Sequence, residues 1–185
     1  MTIKIDESLR LELTAEKHAL PLYHAVDKNR EHLSAYLSWV GKMQSAEDFQ
    51  IYINNCELLY QHGEEVSFVI ISNEEVVGRI GLHHINIANK NAAIGYWLTK
   101  NCEGKGIITK SCEMLINYGF QELSLHRIEI KAAVENSRSR AIPEKFHFIK
   151  EGILRQAEWV NNKFLDIVLY SILQNEWFAK TRNNN

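Results

Sequence analysis

NAAIGYWLTKNCEGKGIITK, residues 91–110, joins an aromatic-rich strand to a helix through a glycine-bearing turn. Ile94, Gly95, Tyr96, Trp97 and Leu98 form the strand candidate, and Glu103-Gly104-Lys105-Gly106-Ile107-Ile108-Thr109 opens the helix. The first turn of a helix carries unpaired backbone N–H groups and the positive end of the macrodipole, so it holds an anion. Gly104 and Gly106 leave no side chain between that backbone and a phosphate. Downstream, Ile108, Cys112, Leu115, Ile116 and Gly119 recur on one helical face. The stretch predicts a strand–turn–helix cradle for a phosphate-bearing cofactor.

Upstream, residues 9–13 alternate as a short strand, and Thr14 is placed to cap a helix reaching about residue 29. Residues 29–40 suggest a second helix. Ser45 followed by Asp48 resembles a capping box that opens a third, ending near Gln61. Residues 66–72, 76–88 and 91–99 read as a meander of strands, turning at Asn73-Glu74-Glu75 and Asn89-Lys90-Asn91. Downstream of the glycine turn come a strand over 127–134 and a polar helix starting at Asn136. Strands over 153–160 and 164–173 flank Asn161-Asn162, a tight hairpin turn. The order predicts one α+β domain over residues 1–180, with a mixed, mostly antiparallel twisted sheet, flanking helices and a C-terminal β-hairpin. Residues 181–185 read as a frayed tail.

The chain has 185 residues, 45% of them hydrophobic, and a formal charge of −2, which argues against a general nucleic-acid binder. Residues 1–99 carry −5, whereas residues 100–150, which hold the glycine turn, carry +3. A basic segment at that turn suits a polyphosphate. No apolar run reaches 18 residues and the start lacks a signal-peptide hydrophobic region, so a cytoplasmic protein without membrane contact is expected. Cys56, Cys102 and Cys112 are odd in number and widely spaced, hence free thiols, with Cys102 read as a surface thiol. The histidines form no metal pattern, and no metal is expected. Aromatics on the surface would be compatible with a homo-oligomer.

Five motifs together carry a resemblance: Asn29-Arg30, Ile94-Gly95-Tyr96-Trp97-Leu98, Gly104-Lys105-Gly106-Ile107, Glu135-Asn136-Ser137-Arg138-Ser139, and Glu151-Gly152-Ile153-Leu154-Arg155. In this order and spacing the chain resembles the GNAT N-acetyltransferases, specifically the RimJ/RimL branch that acetylates protein N-termini. The resemblance implies acetyl-CoA as acetyl donor. Its pyrophosphate would lie on the amides of Gly104, Lys105, Gly106, Ile107, Ile108 and Thr109, with the Thr109 hydroxyl as a further donor and Lys105 and Lys110 adding charge. Its pantetheine arm would pair with the edge of Tyr96, Trp97 and Leu98, and with the Asn136 amide. Ser139 matches the RimL-type serine: it either stabilises or protonates the departing thiolate, or orients the cofactor.

Two positions depart from the family pattern. Glu103 stands where Gln or Arg is usual, and is expected to face solvent. Pro143 stands where many members carry a tyrosine acid, and removes a helical hydrogen bond toward the Ser139 carbonyl. The acceptor implied is a protein N-terminal α-amine, as on a ribosomal protein. Alternatives are a small amine (a polyamine, an antibiotic or an aminoacyl conjugate) or a CoA-binding module without turnover. Glu64, Glu65, His83, His84 or solvent remain open as general base, His83 and His84 facing opposite ways along a strand. Tyr36, Trp39 and Trp159 are candidate walls of the acceptor groove.

Overall fold

Alternation along Val66–Ser72 sends Phe68 and Ile70 to one face and Val69 and Ile71 to the other, and all four are buried. A strand buried on both faces belongs in the middle of a sheet with helices on either side. The computed structural model, which describes residues 1–183, has that arrangement. Strands β1 (Thr2–Lys4) and β2 (Leu9–Leu13) lead through a 3-10 turn into helices α1 (Ala19–Asp27), α2 (Arg30–Ser34) and α3 (Ala46–Gln61). The meander β3 (Val66–Ser72), β4 (Glu75–Asn86) and β5 (Asn91–Leu98) follows. Then come α4 (Ile107–Gln121), β6 (Arg127–Ala133), α5 (Ser137–Lys145), the hairpin β7 (Ile149–Val160) and β8 (Lys163–Leu173), and α6 (Gln174–Asn183).

All eight strands form one sheet in the order β1-β2-β3-β4-β5-β6-β8-β7, and only the β5–β6 pair is parallel. This is the mixed α+β sheet with a C-terminal hairpin expected from the element order. On one face, Phe68 and Ile70 pack with Cys112, Leu115 and Ile116 of α4. On the other, Val69 and Ile71 pack with Leu22 and Val26 of α1 and Phe49 and Ile53 of α3.

The parallel pair is short, and that positions the site. β5 and β6 pair from Asn91 with Arg127 only as far as Ile94 with Ile130. Beyond that point β5 stays with β4 and β6 stays with β8, out to Leu98 and Ala133. The edge of residues 95–98 that faces β6 therefore has no strand partner, and the sheet opens there. Unpaired ladder groups at such an edge take an extended ligand as they would another strand.

Local chemistry explains most boundaries. The Asp48 amide donates to Ser45 Oγ (3.2 Å) and the Ser45 amide to Asp48 Oδ2 (2.9 Å), so the capping box that opens α3 is present. Asn73 and Glu74, and likewise Asn161 and Asn162, have positive φ at both positions, as two-residue hairpin turns require. Thr14 does not cap α1: its hydroxyl accepts from Ser67 Oγ (3.2 Å), and His18 Nδ1 takes the Ala15 amide (3.0 Å) at the head of the 3-10 turn Glu16–His18. The helix expected over 29–40 breaks into α2 and a 3-10 turn, Ser38–Lys42. Arg30 bonds the carbonyls of Val40 (3.1 Å) and Met43 (2.7 Å) and folds that segment back. α6 carries the chain to Asn183, three residues into the segment read as a frayed tail; residues 184–185 lie outside the described residues. No helix among the described residues is long and apolar enough to cross a membrane.

Candidate active site

α4 begins where Gly106, at φ 74°, turns the chain into the helix, preceded by Gly104 at φ 73°. A side chain at either glycine would be strained by that backbone, and the space above both is open. The first helical bond runs from the Lys110 amide to the Gly106 carbonyl (3.0 Å), so the amides of Ile107, Ile108 and Thr109 have no helical acceptor. The turn is anchored by Asn29, whose Oδ1 accepts the Lys100 amide (3.0 Å) while its Nδ2 holds the Ala25 carbonyl (2.8 Å).

A groove of about 960 Å³ runs from this turn to the open strand edge. Tyr96, Trp97, Leu98, Gly104, Gly106, Ile107, Ile108, Thr109, Asn136 and Ser139 all line it, so the sequence-predicted cradle residues come together. Lys105 does not line it and is exposed. Lys110 is turned away, its Nζ 2.7 Å from Asp6 Oδ2, which is why it supplies no charge to the groove. The cations that do line it are Lys28, Lys100, Arg138 and Lys145, none of which the sequence reading gave a phosphate-facing role. Open amides at the turn, an unpaired strand edge and lining cations fit a long polyphosphate cofactor.

Glu103 corrects an expectation. It does not face solvent: its carboxylate lies between Arg138 Nη1 and His32 Nε2 (3.4 Å), with the side chain 24% exposed. An acid facing this groove is costly for a phosphate unless its charge is met; Arg138 of α5 meets it, with His32 of α2 alongside. Cys102 is likewise no surface thiol; it is 8% exposed and packed in the core.

Across the groove, Asn136 caps α5 by accepting the Ser139 amide on Oδ1 (3.0 Å). Its Nδ2 has no partner among the described residues, so the cap and a ligand-binding role coexist. Pro143 lies inside α5, which runs on to Lys145. The carbonyl left without a helical donor by Pro143 is that of Ser139, and the Tyr96 hydroxyl donates to it (2.9 Å). Ser139 Oγ in turn donates to the Tyr96 oxygen (3.3 Å). Burial pushes the Tyr96 phenol well above its ordinary range, so it stays protonated at neutral pH.

A second cavity, about 430 Å³, opens on the other side of the same junction. Tyr36, Trp39, Met43, Tyr52, Arg79 and His83 line it, and it shares Tyr96, Asn136 and Ser139 with the first groove. Of the acceptor walls expected from sequence, Tyr36 and Trp39 are there. Trp159 is not: it stacks edge-on with Phe164 (4.6 Å) on the exposed face of the hairpin. Among the proposed bases, Glu64 and His84 are exposed and line neither cavity, whereas His83 lines this one and Glu65 is buried behind it. Glu158 also lines the cavity and was missed; β7 is bulged between Leu154 and Glu158, which hides the facing of its side chains from any alternation rule.

Two cavities that meet at Tyr36, Tyr96, Asn136 and Ser139 suit direct transfer between two bound molecules. With the split sheet and a helix start whose amides are open, this architecture suits a CoA-type acyltransferase. Comparison with known proteins agrees. The family model described as the Acetyltransferase (GNAT) domain matches residues 8–149. The chain belongs to that family and is a GNAT-type N-acetyltransferase. It is 38% identical over 170 residues to the ribosomal-protein-serine acetyltransferase of Escherichia coli K12, covering 92% of this chain and 95% of that one. It is 36% identical over 177 residues to the putative ribosomal N-acetyltransferase YdaF of Bacillus subtilis 168, covering 95% and 97%. The solved structure of RimL, a ribosomal L7/L12 α-N-protein acetyltransferase in complex with coenzyme A, superposes with a TM-score of 0.90. That likeness has 30% identity and covers 94% of this chain and 98% of that one.

Proposed function

We propose that this protein transfers the acetyl group of acetyl-CoA directly to the N-terminal α-amine of a protein, a ribosomal protein in the first instance. The observation that carries this reading is the junction at Tyr96, Asn136 and Ser139, where the groove and the second cavity meet. The names of the relatives, which act on ribosomal proteins, support the choice of acceptor. Acetyl-CoA supplies an activated thioester. The chain holds it by the α4 amides and by the strand edge of residues 95–98, whose N–H groups also suit the developing negative oxygen. Turned from the Tyr96 oxygen that it bonds at 3.3 Å, the Ser139 hydroxyl would donate to the departing thiolate. At pH 7, deprotonating an α-amine costs about 1 kcal/mol and a lysine amine about 4.6 kcal/mol, which favours the α-amine.

The test is release of free CoA from acetyl-CoA with Ser- and Ala-initiated peptides, N-terminally blocked lysine peptides and polyamines as acceptors. Turnover concentrated on free α-amines is expected. Preference for blocked lysine peptides or polyamines contradicts the reading.

Glu103 should weaken donor binding, because its charge faces the same groove as the phosphates. Glu103→Gln is expected to tighten acetyl-CoA binding about two- to fivefold at low ionic strength, with most of the gain lost at high salt. Titration calorimetry at two salt concentrations measures this. Weaker binding by the variant would show that holding Arg138 and His32 in place matters more than the repulsion.

A further inference from the structure

The cavity floor carries a charge network that the steps above do not use. Glu65 is 8% exposed, and its Oε2 lies 2.9 Å from His83 Nδ1. Its Oε1 accepts from Arg79 Nη2 (2.7 Å). Arg79 is itself buried at 7% exposure; its other contacts are the Tyr52 hydroxyl, Cys56 Sγ (3.2 Å) and the Tyr52 ring face (4.7 Å to the centroid). Burial pulls the guanidinium pKa down, but with Glu65 beside it Arg79 stays charged at neutral pH. Removing a pair of charges from water is costly, so their presence beneath a cavity calls for a reason.

The geometry supplies one. A carboxylate only accepts, so with Nδ1 facing Glu65 the favoured neutral form of His83 has its proton on Nδ1 and its lone pair on Nε2. Nε2 has no hydrogen-bond partner among the described residues. The ring lies over the Gly81–Gly95 pair: a methyl added at Gly95 would come within 3.3 Å of Nε2, and one added at Gly81 within 3.1 Å. Gly95 is the first residue past the last β5–β6 pair, where the sheet opens. The bare nitrogen is therefore held at the split, beside the place where both cavities meet.

We propose that His83 takes the proton of the attacking amine on Nε2, with Glu65 and Arg79 as positioning residues that fix its tautomer and meet its charge. This role rests on the amine-acetyltransferase reading of the site. As the C–N bond forms and the C–S bond breaks, the electron pair leaves on sulfur. The amine proton passes to His83 Nε2, and the imidazolium is balanced by Glu65. That proton then leaves to solvent or to the thiolate. The other charged and titratable groups lining the cavity are Arg79, Tyr52, Tyr36, Tyr96, Lys131 and Glu158. Glu158 is the one carboxylate among them, and it is exposed with no hydrogen-bond partner to orient it among the described residues.

Acetylation of a Ser-initiated peptide by the wild-type protein is the control for the underlying reading, and the variants are measured against it. His83→Ala and His83→Asn should each lower kcat at least about tenfold with KM for acetyl-CoA within about twofold. Added imidazole should restore part of the His83→Ala loss, which a packing defect would not allow. Independently of turnover, nitrogen NMR should show an unprotonated Nε2 in the wild type and mixed tautomers in Glu65→Ala. Turnover of both His83 variants within twofold of wild type overturns the proposal. So does loss of turnover in Glu158→Gln with His83→Asn still active, which assigns the proton to Glu158, and so does a wild-type spectrum with the proton on Nε2.

Discussion

Ser139→Ala is expected to lower kcat about a hundredfold and to leave KM for acetyl-CoA within about threefold, because the bond proposed for its hydroxyl would be made chiefly to charge that develops on sulfur. The serine is firmly held. Its amide is fixed by Asn136 (3.0 Å), its carbonyl by the Tyr96 hydroxyl (2.9 Å), and its Oγ lies 3.3 Å from the same phenol. Pro143 makes this arrangement available, since an ordinary residue there would offer its own N–H to the Ser139 carbonyl. The family's tyrosine acid is absent at Pro143, yet a buried, protonated phenol reaches the junction from β5 instead. Tyr96→Phe keeps the serine and removes its support, so its loss should be smaller, about tenfold. Steady-state kinetics with saturating peptide separates kcat from KM. Unchanged turnover with weaker acetyl-CoA binding in Ser139→Ala would make the serine a cofactor ligand only.

The second large effect is on stability. Gly78→Ala should destabilise the fold by about 3 kcal/mol, because the added methyl collides first with backbone, which cannot swing away as a side chain can. An ideal Cβ at Gly78 lies 2.3 Å from the Trp97 carbonyl oxygen, 3.2 Å from Leu98 Cα and 3.1 Å from Leu98 Cδ1. Gly78 and Leu98 are paired across β4 and β5, so relief requires pushing the β5 end outward, and that end is the edge proposed to hold the cofactor. Thermal unfolding should therefore drop by roughly 10 °C, with weaker acetyl-CoA binding in whatever remains folded. Gly41→Ala is the control, since a methyl there meets open space. A Gly78→Ala protein that melts with the wild type would mean that β4 and β5 separate at little cost.

What could be read from the chain alone was local. β3 falls where its β-branched run predicted, and α3 begins at its capping box, because both signals lie within a few neighbouring residues. The glycine turn was legible for the same reason: Gly104 and Gly106 take positive φ at the start of α4, as two glycines before a helical pattern suggest. β1 was missed because three residues show no period, and α6 because its sequence, QNEWFAKTRN, is polar apart from Trp177 and Phe178 at its centre. The less visible parts of the site are contacts between distant segments. Tyr96 was expected to offer its backbone, and only the folded chain brings its hydroxyl to Ser139, 43 residues on. Arg138 meets Glu103 across the groove, and Lys110 is captured by Asp6, 104 residues away. Choosing Glu65 and His83 over Glu64 and His84 needed the β4 irregularity, where His84 takes φ 54° and points out of the site.

The most direct measurement is mass spectrometry of a Ser-initiated peptide carrying an internal lysine, after incubation with the protein and acetyl-CoA. A single acetyl group on the α-nitrogen, absent without acetyl-CoA and much reduced in Ser139→Ala, is the expected result. Acetylation on the lysine side chain, or a peptide left unmodified by a protein that binds acetyl-CoA, would contradict an α-amine acetyltransferase.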